Sequence, residues 1–315
     1  MKKITVNELV EIFNEKQNST FFKVTNEETF NSVITDPFIN RPGLALSGYM
    51  ERFTNKRIQI FGDPEIGYLQ SIDSDIAYER VKNIFKYLIP CVVVSKGNSV
   101  PRFMEFLGNQ NNIPIIKTNL STDDIIKKLL YRLQRIFAPS TVEHSTYINI
   151  FGLGVLLIGK SGVGKSECAL DLIERGHKLI ADDSTKITLV EDNVLMGTST
   201  FSDGFFMEIR GVGIIDIQRM FGIQAIEKRK RISMVVELIP YSPDANYDFI
   251  TVERIDNKKF KKYLKTNIPL IQLPVTPGKN MSVIVETAVL NYMLANYGYS
   301  AAENFIQIQN KTINS

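Results

Sequence analysis

Near the start of the chain, Leu9, Ile12 and Phe13 recur at helical spacing between polar neighbours and predict an amphipathic helix. Three later runs change period. "RIQIFG" (57–62), "IPCVVVSKG" (89–97) and "IPIIKTNLS" (113–121) are short, apolar and closed by turn residues, which predicts buried strands in a small α/β domain. Ser121 is placed to cap the helical run "TDDIIKKLLYRLQRIFAP", with Asp124 at the capping-box position and Pro139 as the stop. This helix is taken as the connection between two domains, 1–132 and 133–315, and no internal repeat or low-complexity tract interrupts either. In the second part, "STYINIFGLGVLLIG" (145–159) gives two strand-like runs around a Gly-Leu-Gly turn. Helix formers from Ser166 to Glu174 follow, ended by Gly176, and "KLIADD" (178–183) is a further strand expected beside the loop strand.

Composition adds bounds rather than direction. A chain of 315 residues can bury two cores, and 44% hydrophobic with 23% charged residues is ordinary globular composition. No apolar run reaches the ~18 residues of a membrane span, and the start carries acidic residues rather than a secretory apolar segment. Cys91 and Cys168 sit among apolar residues, as buried thiols of a reducing cytoplasm do. A net charge of +3 is too small to point to nucleic acid, and the basic runs Lys228–Arg231 and Lys258–Lys265 read as solvated faces that a protein partner could use.

The candidate chemistry begins at residue 159. Gly159, Lys160, Ser161, Gly162, Val163, Gly164, Lys165 and Ser166 satisfy G-x-x-x-x-G-K-[ST] between a strand and a helix. Glycines let backbone N–H groups turn toward phosphate oxygens, and the helix adds its positive end. Lys165 would reach the terminal phosphates and Ser166 would bind Mg²⁺. Asp182 and Asp183 end a strand at the same sheet edge, where α/β folds place ligands. One carboxylate there suits Mg²⁺, and the other could take a proton from an attacking hydroxyl; alone, Asp-Asp-Ser would read as a turn. In "MEIRGVGIID" (207–216), Glu208 could complete a Mg²⁺ shell or merely face solvent beside Arg210. His144 and His177 are the two histidines, and His177 beside Gly176 reads as a favourable charge at a helix end.

A guanine-reading N-K-x-D and an L-S-G-G transporter sequence are both absent. A phosphate-loop protein kinase, a small-molecule kinase and a nucleotide-controlled binding module stay open, with the paired aspartates favouring transfer to a hydroxyl. The phosphate loop, "RGHKLIADD", "MEIRGVGIID" and "PVTPGK" together resemble bacterial HPr kinase/phosphorylase, and "RPGLALSGY" (41–49) resembles that family's N-terminal domain. The resemblance implies an α/β chain with a small N-terminal regulatory or assembly domain followed by a phosphate-loop catalytic domain. It also implies a cytoplasmic homohexamer, without nucleic acid or membrane, that controls carbon metabolism and sugar uptake. Such an enzyme phosphorylates a serine of the phosphocarrier HPr with Mg²⁺ and ATP or pyrophosphate, and reverses this with inorganic phosphate to give pyrophosphate. Residue by residue, the resemblance implies His144 and Lys165 as catalytic, Asp183 as proton acceptor and donor with Asp182 beside it, and Ser166 and Glu208 as metal ligands. It adds Arg254 of "VERID" as an active-site arginine, and it places Lys279 where an arginine is usual.

Overall fold

Short strands buried on both faces account for the uninterrupted apolar runs of the first half. The computed structural model describes residues 2–14, 20–201, 204–242, 259–276 and 278–313. The chain starts with β1 (Ile4–Thr5), α1 (Val6–Asn14), β2 (Phe22–Lys23), β3 (Val33–Ile34), β4 (Ile39–Asn40) and α2 (Gly43–Leu46). There follow β5 (Ile58–Phe61), α3 (Asp63–Ser71), α4 (Ser74–Phe85), β6 (Val92–Val94), α5 (Arg102–Gln110), β7 (Ile115–Lys117) and α6 (Thr122–Phe137). Strands β4 to β7 are parallel neighbours in the order β2-β7-β6-β5-β4, with β2 antiparallel at one edge. Ile60, Val93 and Ile116 pack toward α1 and α6, whereas Phe61, Val92, Val94 and Ile115 pack toward α4 and α5. This two-sided burial is why the strands read as continuous apolar runs rather than alternations.

The predicted cap is present: Ser121 Oγ accepts from the Asp124 N–H at 3.1 Å. Asp124 answers by accepting from the Ser121 hydroxyl at 2.6 Å, rather than from the backbone. Two compact units divide the chain, Met1–Ala138 and Pro139–Ser315. The change of unit thus falls after α6, a few residues beyond the 132/133 division drawn from sequence. Leu129 and Leu133 are fully buried in the N-terminal core, which ties the whole helix to that unit. Both cysteines are free and buried, and burial pushes both thiols up, that of Cys168 to about 12.

The second unit contains β8 (Ser140–Glu143), β9 (Thr146–Ile150), β10 (Leu153–Gly159), α7 (Lys165–Glu174), β11 (Lys178–Ala181), β12 (Thr185–Glu191) and β13 (Val194–Ser199). It continues with β14 (Phe206–Ile209), β15 (Gly213–Asp216), α8 (Ile217–Phe221), β16 (Arg229–Pro240), β17 (Lys259–Tyr263), β18 (Thr266–Val275), α9 (Met281–Asn296) and α10 (Ala301–Ile313). A sheet runs β11-β9-β10-β16-β13-β12-β8, and β18 joins β16 with β17 outside it. Along β10 the side chains alternate: Val155 and Leu157 face α7 and α9, while Leu156 and Ile158 join Tyr147, Ile180 and Val235 on the other face. Strand β10 pairs parallel with β16 and antiparallel with β9.

The expectation that "KLIADD" lies beside the loop strand is corrected here, because β9 stands between β10 and β11. The hairpin β9–β10 closes too tightly at Phe151-Gly152 to admit a strand, so β11 pairs with the outer edge of β9. This insertion matters for the site. Being antiparallel to both neighbours, β9 brings its first residues to the edge where β10 and β11 end.

Candidate active site

Two glycines shape the loop after β10. At Gly159, φ is 147° and a Cβ would stand 2.4 Å from the Leu238 carbonyl oxygen, so only glycine lets the chain leave β10 against β16. Gly164, at φ 99°, is the N-cap of α7. Lys165 opens that helix and is buried, its Nζ donating to the carbonyls of Gly159 at 3.1 Å and Lys160 at 3.4 Å. The ammonium therefore lies under the loop whose N–H groups it would complement. Lys160 and Ser161 are exposed at the rim, and the Val163 N–H donates to the Lys160 carbonyl at 3.2 Å.

The paired aspartates part company at Ala181, where β11 ends. Asp182 points inward and is only 8% exposed. It accepts from the Thr146 hydroxyl at 2.7 Å and from the Ser166 hydroxyl at 3.2 Å. Burial pushes its carboxyl up from the ordinary range. Hydrogen bonds from Thr146, the Asp183 N–H, Ser166 and the Glu208 N–H oppose that rise. Asp183 sits in the left-handed region at φ 62°, which turns the chain and leaves its side chain 73% exposed. There its Oδ1 lies 3.0 Å from Nδ1 of His144, itself half exposed in the link between β8 and β9. The structure thus separates two carboxylates that sequence alone could not: one buried against the Ser166 hydroxyl, one paired with a histidine at the surface.

Hairpin β14–β15 carries the "EIRGVGIID" run, pairing Glu208 with Ile214. It is the Glu208 backbone N–H that meets Asp182; the Glu208 side chain is exposed. The same hairpin brings Arg210 over the phosphate loop, its guanidinium 3.8 Å from where a Cβ on Gly162 would stand. Sequence reasoning noted Arg210 but gave it no role; its signal was its place two residues after Glu208. Arg254 lies outside the described residues. In "PVTPGK", Lys279 is exposed and its N–H donates to the Thr276 carbonyl at 3.2 Å.

The reading of His177 as a simple helix-end charge is corrected. The imidazole is 6% exposed, with Nε2 2.8 Å from Glu286 Oε1 on α9 and the ring edge-on to Phe151 at 4.7 Å. Arg175 grips the same carboxylate with two bonds, Nε to Oε1 at 2.9 Å and Nη2 to Oε2 at 2.6 Å. One turn earlier, Ser282 of α9 donates to Asp171 of α7. Together these contacts latch the C-terminal half of the phosphate-loop helix to α9. The Arg175 bonds, followed by His177, hold the Glu286 carboxyl below its ordinary 4.5. A depressed acid of this kind stabilises the fold above pH ~4.5, and the stabilisation is lost as pH falls through the folded value. We expect Glu286→Gln to cost about 2 kcal/mol at neutral pH, the scale of a lost charged hydrogen bond. In thermal unfolding the melting point should drop by ~5 °C, and the gap to wild type should narrow as pH falls below 4.5. An equal gap at pH 7 and pH 3.5 would remove the ionic part of the argument.

With this geometry in view, comparisons with known proteins are specific. The family model described as HPr Serine kinase N terminus matches residues 4–133, and that described as HPr Serine kinase C-terminal domain matches residues 135–309. The chain belongs to the HPr serine kinase family. Among its relatives, the HPr kinase/phosphorylase of Chloroherpeton thalassium is 38% identical over 96% of this chain and 88% of its own length. That of Brevibacillus brevis is 36% identical over 99% of this chain and 97% of its own. That of Treponema pallidum is 39% identical over 87% and 85%. The family assignment therefore spans both units, and the α/β reading of each is the architecture observed.

Proposed function

We propose that this chain works as an HPr kinase/phosphorylase whose two directions share one site. The observation that carries the reading is the contrast between buried Asp182 and exposed Asp183 at the edge of the phosphate loop. The loop N–H groups, the start of α7 and Lys165 hold phosphate charge. Arg210 stands over the loop and adds a guanidinium, suited to a phosphoryl group whose charge spreads during transfer. At the outer edge, the Asp183 carboxylate accepts the proton of the attacking seryl hydroxyl while His144, against its Oδ1, fixes its orientation. In the reverse direction an oxygen of inorganic phosphate forms the new P–O bond, the bond from phosphorus to the seryl oxygen breaks, and Asp183 returns the proton to that oxygen. Pyrophosphate and the unmodified seryl hydroxyl of HPr result. An exposed acid/base group suits a protein substrate, whose serine must approach from outside.

The donors around Ser166 fit Mg²⁺. They are hard oxygens, a hydroxyl with a buried carboxylate 3.2 Å away, and a cation there would relieve the burial that pushes Asp182 up. Ser166 and Asp182 would hold the ion, with Glu208 able to add an oxygen from the hairpin. When bound it supplies charge neutralisation for the transferring phosphoryl group. Glu208→Gln should then raise the Mg²⁺ concentration needed for half-maximal rate several-fold, because a charged oxygen is exchanged for a weaker neutral one. An unchanged Mg²⁺ titration at unchanged rate would return Glu208 to a purely structural role on the hairpin.

ATP, or pyrophosphate, is the proposed donor and HPr the acceptor. No helix among the described residues is long and apolar enough to cross a membrane; a cytoplasmic location is proposed on the family resemblance. Exposed Leu290 and Leu294 on α9 and Phe305 on α10 suit burial against further copies in a homohexamer. The test of the function is transfer itself. With Mg²⁺, HPr and γ-labelled ATP, label should appear on a serine of HPr. A small-molecule kinase would leave HPr unlabelled, and a nucleotide-controlled binding module would label nothing.

A further inference from the structure

His144 and Asp183 project from a gap in one antiparallel ladder. Glu143, the last residue of β8, stands opposite Thr185 at the start of β12. Tyr147 of β9 stands opposite Ala181 at the end of β11. The register is the same on both sides of the gap, so that residues 144–146 face 182–184. Pairing between the two segments lapses there, and His144 meets Asp183 across the opening. Both side chains reach into solvent, so the 3.0 Å between them depends on how the two backbones are held.

Two hydroxyls span the gap. Ser145 and Thr185 are fully buried, and Ser145 Oγ donates to Thr185 Oγ1 at 2.9 Å. The Thr185 hydroxyl has the Ser145 carbonyl 3.4 Å away, and the Ser145 N–H donates to the Asp183 carbonyl at 3.3 Å. Ser145 thus grips the opposite segment twice, at Asp183 and at Thr185. Between those grips lies the left-handed turn at Asp183, a conformation that persists where its surroundings over-determine it. On the inner side, Thr146 adds its bond to Asp182. An apolar pair in place of Ser145 and Thr185 would cost the fold little, because removing both members of a buried hydrogen bond is nearly neutral. What the hydroxyls add is a fixed distance and direction between the two segments.

We propose that Ser145 and Thr185 are positioning residues for phosphoryl transfer, their hydroxyl bond setting the spacing of His144 and Asp183. The proposal rests on Asp183 as proton acceptor. Neither hydroxyl touches the reacting atoms; both act through the link that carries His144 and the turn that carries Asp183. A misplacement of ~1 Å at a reacting group can cost about a hundredfold in rate, so a smaller shift of Asp183 should cost about tenfold.

The test compares full-length variants in transfer to HPr with Mg²⁺ and ATP. Thr185→Val keeps the shape and removes the hydroxyl. It should lower kcat about tenfold, with KM for HPr and for ATP within about twofold of wild type. Ser145→Ala leaves Thr185 a neighbouring carbonyl, so it disturbs folding less, and it should lower kcat by a similar factor. Thr185→Ser restores the oxygen and should recover most of the rate. In an Asp183→Asn background either loss should cost nothing further, because the group being positioned no longer takes a proton; a purely structural effect would persist there. The chain has two histidines, so the rings are distinguishable by ¹⁵N NMR, and the His144 Nδ1 resonance should move in Thr185→Val while that of His177 stays. Wild-type kcat in both Thr185→Val and Ser145→Ala, or an undiminished loss in the Asp183→Asn background, would overturn the proposal. The Asp183→Asn arm distinguishes the two readings. If that change alone leaves transfer at the wild-type rate, the acid/base assignment falls and the positioning role falls with it; if it slows transfer while the hydroxyl variants do not, only the positioning role falls.

Discussion

Asp183→Asn should lower phosphoryl transfer to the HPr serine by at least about a hundredfold, the low end for a general acid–base group. The amide keeps the shape of the side chain and can still meet His144, but it cannot take a proton. Nucleotide affinity should change little, because the loop N–H groups and Lys165, not Asp183, are the groups proposed to hold the phosphates. The reverse reaction should fall by a similar factor, since one group moves the same proton in both directions. Asp182→Asn should behave differently. Its carboxylate accepts from Thr146 and Ser166, so its loss should appear as a raised Mg²⁺ requirement and poorer nucleotide binding. If Asp182→Asn instead gives the matched double loss and Asp183→Asn loses Mg²⁺ response, the two roles are reversed.

Lys165→Ala should abolish both activities while leaving the fold in place. The ammonium is buried yet, among the described residues, bonds only to the carbonyls of Gly159 and Lys160, so its removal loosens the loop rather than the sheet beneath it. Val155, Leu157, Leu172 and the rest of that core are untouched. Circular dichroism should match wild type, and nucleotide affinity should fall together with both rates. Survival of either activity near its normal level would show that kinase and phosphorylase do not share the phosphate loop.

Much of this site was legible because its parts are local. The glycine loop, its flanking strand and helix, and the hairpin around Gly152 each announce themselves within a dozen residues. What lay outside the sequence was pairing at a distance. Nothing in "KLIADD" says that its neighbour is β9 rather than β10, yet that choice brings His144 and Thr146 to the aspartates. His144 was singled out by family resemblance, not by physical signal. The two aspartates read alike as letters, and a left-handed φ at Asp183 is what sends one inward and the other out. Glu208 drew attention for its carboxylate, and its backbone N–H on Asp182 is a further contact that no letter announces. Strand β16 was hidden by its basic start, because Arg229 to Arg231 project past the core that Ile232 to Leu238 fill.

The central claim is that one phosphate loop serves transfer to serine and its reversal. Serine-phosphorylated HPr, mixed with the enzyme, Mg²⁺ and inorganic phosphate and followed by ³¹P NMR, tests it most directly. The account predicts that the phosphoserine signal is replaced by pyrophosphate in equal amount, and that Lys165→Ala abolishes the exchange. Release of orthophosphate without pyrophosphate, or pyrophosphate formation that survives Lys165→Ala, would contradict it.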